Sequence, residues 1–238
     1  MIENIYTVIP ARGGSKSIPR KNIKLLNGHP LIKYSIDYSK QSSLVSRTIV
    51  STDDKEIAGI AKELGAEVPF MRPSILSGDL VTDYPVMLHA LEELERIFSE
   101  KIDIIILLRP TSPLRPQNLI EQGIELLQKD PRASSVRAVT LAKEHPYRQW
   151  NKQKEGYIEG YSNEISDKLE PYNIPRQQLP ETFFQTGDIE IIRRETLIQG
   201  SVSGGRVLPL IIDSEGVYDI DSQHDFELAE RNFESPEK

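Results

Sequence analysis

IYTVIPARGGSKSIPRKN, residues 5–22, is the stretch whose reading decides the fold. Its first part, Ile5 to Pro10, is apolar and β-branched, the composition of a strand buried on both faces. Two glycines and four cations follow at once: Arg12, Gly13, Gly14, Lys16, Arg20 and Lys21. Between Asn4 and Ile36 there are six Lys or Arg and no Asp or Glu, although the whole chain carries a net charge of −7. Glycine lets backbone N–H groups point at an oxyanion, and Arg and Lys neutralise it. A cationic loop directly after a first strand therefore suits a polyphosphate. Pro10 and Pro19 stiffen its ends, which lowers the entropy lost on holding donors in place. The loop is neither G-x-x-x-x-G-K-[ST] nor G-x-G-x-x-G, because Gly13 and Gly14 directly precede Ser15 and Lys16. A solvated basic turn is the alternative reading.

Outward from this loop, strand-like and helix-like segments alternate for about 140 residues. The spacing predicts strands at Ile5–Pro10, Arg47–Ser51, Glu67–Arg72, Asp103–Leu108 and Ser134–Leu141. It predicts helices at Leu31–Lys40, Asp54–Leu64, Asp83–Phe98 and Gln117–Gln128. Asp53-x-x-Glu56 reads as a capping box and Gly65 as a C-cap. Alternation of this kind specifies an α/β, doubly wound, mostly parallel sheet, whose ligands sit at the carboxyl ends of the strands. Residues 143–185 break the pattern. They are rich in Pro, Tyr, Gln and Asn and read as an insertion of short strands and loops within a single domain, 1–238. Strands resume at Asp188–Arg193 and Arg206–Ile212. A last helix starts near Ser222, capped with Asp225, and a polar, frayed tail begins at Glu234.

Composition narrows the function. The 238 residues include no cysteine, which excludes disulfides, thiolate metal sites and cysteine catalysis. The four histidines, His29, His89, His145 and His224, show no zinc-ligand spacing. The acidic balance disfavours nucleic acid, no apolar run reaches the length of a membrane span, and no secretory leader is legible, so the expected location is cytoplasmic.

Three further segments carry chemistry. RPTSPLRP, residues 109–116, makes a rigid turn after a strong strand; Arg109 and Arg115 flank Thr111 and Ser112, groups suited to an anionic or polyhydroxyl ligand. In VYDIDSQHDFELAE, residues 217–230, an extended backbone puts Asp219 and Asp221 on one face, a pair suited to Mg²⁺; turn or cap carboxylates are the alternative. PRQQLP, residues 175–180, offers Arg176 to a carboxylate.

Taken in order, IPARGGSK…PRKN, RPTSPLR, PRQQLP and DIDS…DFELAE resemble the CMP-sugar synthetases, the acylneuraminate and nonulosonic acid cytidylyltransferases, over residues 5–232. The resemblance implies a nucleotide-diphospho-sugar transferase-like fold and transfer of CMP from CTP to a sialic-acid-like α-keto sugar acid, with release of pyrophosphate and a requirement for Mg²⁺. It implies that Arg12, Gly14, Ser15, Lys16, Lys21 and Asn22 hold the triphosphate, with Arg72 and Asp79 beside the cytidine. Asp219 and Asp221 match the metal pair, and Arg12, Lys21 and Asp221 are the catalytic candidates. Arg109, Thr111, Ser112, Arg176, Gln178, Gln185, Gly187 and Asp188 are expected around the sugar acid. A homodimer is implied, its 143–185 insertion reaching the partner's site. The same fold with another sugar acid, such as an octulosonate, or another nucleotide, or a non-catalytic nucleotide-binding relative, are the alternatives.

The chain departs from that family at four places. Ser17 stands where Gly is usual, Arg109 where Gln is common, and Asp83 where a small hydroxyl residue is common. QTGDIEII, residues 185–192, adds Asp188 and Glu190, which either select an amine-bearing sugar or point to solvent.

Overall fold

The computed structural model describes residues 3–164, 167, 170–213 and 219–234. Val217 and Tyr218 of the aspartate segment and the tail beyond Glu234 lie outside the described residues. The strands are β1 (Ile5–Pro10), β2 (Leu25–Leu26), β3 (His29–Pro30), β4 (Arg47–Ser51), β5 (Ile104–Leu107), β6 (Ser135–Leu141), β7 (Trp150–Lys152), β8 (Ile158–Gly160), β9 (Phe183–Arg193) and β10 (Val207–Ile211). The helices are α1 (Leu31–Gln41), α2 (Lys55–Glu63), α3 (Asp83–Phe98), α4 (Leu119–Lys129), α5 (Arg194–Ile198) and α6 (Gln223–Glu234).

Six strands form one sheet in the order β10-β6-β9-β5-β1-β4. The period of two divides each central strand between two cores. Ile5 and Ile9 of β1, Ile104 and Ile106 of β5 and Val50 of β4 pack with Ile36 of α1, Ile57 of α2 and Ile124 of α4. Tyr6, Val8, Ile49, Ile105 and Leu107 pack on the other face with Met87, Leu91 and Leu94 of α3 and Leu197 of α5. Helices on both faces explain the uninterrupted apolar runs of β1 and β5. A third cluster seats Phe226 and Ala229 of α6 against Ile18, Leu26 and Leu31, fastening the carboxyl-terminal helix beside the cationic loop.

Neighbouring strands run parallel except β9, which is antiparallel to both β5 and β6. The chain leaves β6 at the sheet's carboxyl edge, passes through the insertion and returns from that edge. The first residues of β9 therefore sit among the carboxyl ends of the parallel strands. The register jumps between Arg137↔Glu190 and Val139↔Gln185, and Gly187, with φ 78°, takes up the bulge.

Three expectations need correction. Residues 67–72 form no strand: a single bridge joins Ile49 to Glu67. Pro69 withholds its N–H from a ladder and Pro73 follows directly, yet Arg72 N–H still reaches Thr52 O at 2.8 Å, which holds Arg72 beyond the end of β4. The cap of α2 is Asp54 rather than Asp53; its carboxylate accepts from the Glu56 and Ile57 N–H groups. Helix α4 begins at Leu119, after a left-handed Asn118, two residues later than the spacing predicts. Gly65, with φ 84°, ends α2 as expected. Within the insertion, β7 and β8 form an antiparallel hairpin among short 3₁₀ turns, and Trp150 stacks on Tyr172 with centroids 4.4 Å apart. The last three of residues 143–185 already belong to β9.

Candidate active site

The loop after β1 is folded by its own polar groups. Asn22 Nδ2 donates to Arg12 O at 2.9 Å and closes the loop across its base. Gly13 N–H donates to Asp53 Oδ1 at 3.0 Å, and a Cβ at position 13 would lie 2.7 Å from Asp54 Oδ2. Glycine is therefore required there by the close approach of α2. The left-handed residue of the loop is Arg20 (φ 57°), not Ser17. That twist turns the Arg20 guanidinium away from the cleft and onto Asp54 and Glu56 at the start of α2. Of the four cations, Arg12, Lys16 and Lys21 remain on the cleft.

This cleft has a volume of about 490 Å³. Arg12, Ser15, Lys16, Lys21 and Asn22 line one side, and Arg72 and Asp79 face them. Gly14 is exposed and does not line the cleft. Asp79 holds Arg12 Nη1 at 2.8 Å and also pairs with Lys16. The Lys16 hydrogen bond, with Arg12 assisting, pulls the Asp79 carboxyl below its ordinary range. Arg72 is 5% exposed, and neither its Nε nor its Nη2 has a hydrogen-bond partner. Asp53 is its nearest opposing charge, at 3.9 Å. Burial lowers the Arg72 pKa, and Arg12 adds to that. Two buried guanidinium nitrogens without a hydrogen bond in a cleft are donors that an acceptor group could complete.

The aspartate segment is tied to this cleft by three bonds. Lys21 Nζ donates to Ile220 O at 2.8 Å and to Asp221 Oδ1 at 3.3 Å. Ile220 N–H donates to Thr111 O at 2.8 Å, joining the segment to the RPTSPLR turn. Asp219 stays open to solvent, yet the surrounding protein raises its carboxyl and Asp221 raises it further, while Thr111, Arg109 and Lys21 oppose them. Two hard carboxylates thus line one cavity, and Asp221 makes the charge on Asp219 costlier.

A second cavity of about 530 Å³ adjoins the first, with Asp83, Arg109 and Asp221 common to both. Gln185 and Gly187 line it from the head of β9, and Asp219 from the aspartate segment. No histidine lines either cavity.

The remaining sugar-acid candidates divide. Thr111 lines the first cleft. Ser112 lies beneath the surface, 1% exposed, its hydroxyl without a partner. Arg115 donates Nε to Asp188 O at 2.6 Å and Nη1 to Ser35 Oγ at 3.0 Å, so its work is to bind the turn to β9 and α1. Asp188 lines neither cavity; it is 1% exposed, and burial raises its carboxyl with Arg115 opposing. Glu190 is 4% exposed, so neither new carboxylate points to solvent. Arg176 and Gln178 sit exposed on a 3₁₀ turn of the insertion and line neither cavity within the chain. Arg137 belongs to the second cavity and was missed by sequence reasoning. The one signal for it is a cation in the middle of a strand with no other charge, SVRAVTL.

Among the described residues no group of three or more His, Cys, Asp or Glu is placed to hold a metal ion, and no helix is long and apolar enough to cross a membrane. Comparison with known proteins agrees with the arrangement. Residues 6–228 match the cytidylyltransferase family. The post-translational flagellin modification protein B of Campylobacter coli is 33% identical over 230 residues, 96% of this chain and 94% of that protein. The CMP-N,N'-diacetyllegionaminic acid synthase of Campylobacter jejuni is 32% identical over 227 residues, 95% and 93% of the two chains. Among solved structures, a CMP:2-keto-3-deoxy-manno-octonic acid synthetase complexed with CTP superposes with a TM-score of 0.72 at 17% identity, over 97% of this chain and 98% of that one, a likeness of fold. The cation loop, the turn at the end of β5 and the aspartate pair meet at the carboxyl edge of this sheet in a chain that belongs to the cytidylyltransferase family and is a nucleotidyltransferase.

Proposed function

We propose that the enzyme transfers CMP from CTP to the anomeric hydroxyl of a sialic-acid-like α-keto sugar acid. The observation that carries this reading is the pair of adjoining cavities. One holds the cation loop and the unsatisfied Arg72, the other is lined by polar groups of β9, and Asp221 lies at their junction. In this reading CTP occupies the first, its triphosphate on Arg12, Ser15, Lys16 and Lys21 and its cytidine towards Arg72. The sugar acid occupies the second. Its anomeric oxygen attacks the α-phosphorus, the new P–O bond forms as the bond to pyrophosphate breaks, and the hydroxyl proton leaves to solvent. Arg12 and Lys21 neutralise the charge that develops on the phosphoryl oxygens, and the two cavities supply alignment.

Asp219 and Asp221 fit Mg²⁺ by donor chemistry: two hard oxygens whose mutual repulsion a divalent ion would relieve. When bound, the ion supplies charge neutralisation at the phosphate oxygens. The reading includes a homodimer whose insertion brings Arg176 and Gln178 to the partner's acceptor cavity, and a cytoplasmic location where CTP is available.

The test is pyrophosphate release with each nucleoside triphosphate, Mg²⁺, and a panel of nonulosonic and octulosonic acids. CTP with a nonulosonic acid is expected to give the highest turnover; preference for an octulosonate would favour the alternative acceptor. Asp221→Ala is expected to lose at least about 100-fold in kcat with the fold retained by circular dichroism. Near-normal turnover at saturating Mg²⁺ would remove the metal role.

A further inference from the structure

The departures at positions 83, 109 and 190 form one physical object. Arg109 Nη2 pairs with Asp83 and, at 2.7 Å, with Glu190 Oε1. The other Glu190 oxygen pairs with Arg137, which also donates to Gln185 Oε1 at 2.6 Å and to Ser203 Oγ at 2.9 Å. The charges alternate along a chain Asp83–Arg109–Glu190–Arg137. Register builds it: Glu190 stands opposite Arg137 on one side of β9 and opposite Leu107, two residues before Arg109, on the other. The Glu190 side chain is 6% exposed, and both its oxygens are occupied. Burial works against the Arg109 charge, but Asp83 and Glu190 outweigh it and raise its pKa.

Arg109 and Asp83 belong to both cavities, whereas Glu190 and Arg137 belong to the second alone. We propose that Glu190 and Arg137 are positioning residues for the acceptor: they hold Arg109 in the wall shared by the two cavities and so set the shape and hydrogen bonding that the sugar acid meets. The proposal rests on the reading of the second cavity as the acceptor site. It also explains how Arg occupies position 109 beside an anionic substrate without capturing it. With two carboxylates already on the guanidinium, an incoming carboxylate gains little by approaching it. Glu190 likewise has a guanidinium on each oxygen, so this wall meets the acceptor as a charge-balanced, fixed surface.

The test compares Glu190→Gln, Arg109→Gln and the charge-balanced double variant in the full-length enzyme. The readouts are steady-state kinetics for CTP and for the acceptor, together with urea denaturation midpoints. Each single variant leaves a buried charge short of a partner and is expected to lower the midpoint. Each is also expected to lower acceptor kcat/KM by about ten- to a hundredfold; for Glu190→Gln, whose residue lines only the second cavity, the KM for CTP is expected to stay within about twofold. The double variant is expected to recover most of the midpoint but not the acceptor kcat/KM. A purely structural chain would recover both together, and that result would overturn the proposal, as would singles with unchanged acceptor kinetics. Wild-type enzyme that releases no pyrophosphate with any sugar acid would overturn the acceptor-site reading itself, and the proposal with it.

Discussion

Arg72 shows how much one residue's surroundings can say. A guanidinium has five N–H donors, and burying some of them with only a distant carboxylate, Asp53 at 3.9 Å, costs stability. Such a group persists where a ligand completes it. Arg72→Met is therefore expected to weaken CTP binding about tenfold or more, measured by calorimetry, since a hydrogen bond to a charged group contributes about 1.5–3 kcal/mol. The same change is expected to leave the urea midpoint unchanged or raised, because it removes a poorly paired buried charge. A large loss of stability with intact CTP binding would assign Arg72 to the scaffold instead. At this scale the sequence is a partial guide. Arg12, Lys16 and Lys21 lie on the cleft as their loop suggests, whereas Arg20, an equal cation in the same loop, faces α2. What separates them is the left-handed backbone at Arg20, and nothing in residue type announces a left-handed arginine.

The start of α2 is the element on which the loop rests. Asp54 caps the helix and receives Arg20, and these bonds leave Gly13 no room for a side chain. The Arg20 hydrogen bond, with the capping N–H groups, holds the Asp54 carboxyl down from 3.8 to about 2. A depressed folded value stabilises the protein above the unfolded one, so this contribution is present above pH 3.8 and is lost as pH falls towards 2. Asp54→Ala is expected to cost about 1–2 kcal/mol at neutral pH and to flatten the acid limb of the stability–pH curve in that window. Urea melts of both proteins across the acid range check it; parallel curves would refute the pairing. Element identity was legible where local chemistry decides it, as at Gly65 or in the apolar runs of β1 and β5. It was not legible at residues 67–72, where Val68 and Phe70 suggest a strand but Pro69 withholds an N–H from the ladder. Nor was the direction of β9, which follows from where the insertion returns the chain.

Across the whole molecule the sheet gathers at one edge residues that lie up to two hundred positions apart. The doubly wound plan was readable because alternation is a local property. The joining of Arg137 to Glu190 was not, because it depends on a bulged register between strands separated by the insertion. The insertion also leaves apolar surface open: Tyr157 is 76% exposed, Ile158 61%, and Phe184, at the head of β9, 63%. In the proposed homodimer this surface is covered. The double variant Tyr157→Asp, Ile158→Asp is expected to shift sedimentation from dimer to monomer and to reduce acceptor turnover; a wild-type monomer would exclude the dimer. The clasp of Asp79 on Arg12 and Lys16 has its own consequence for the molecule in solution. The cleft carries an anion of its own, so nucleotide entry is an exchange of counterions rather than a capture by bare cations. Ionic strength then weakens both the clasp and its replacement, and CTP affinity should vary with salt less steeply than the number of cations around the triphosphate suggests.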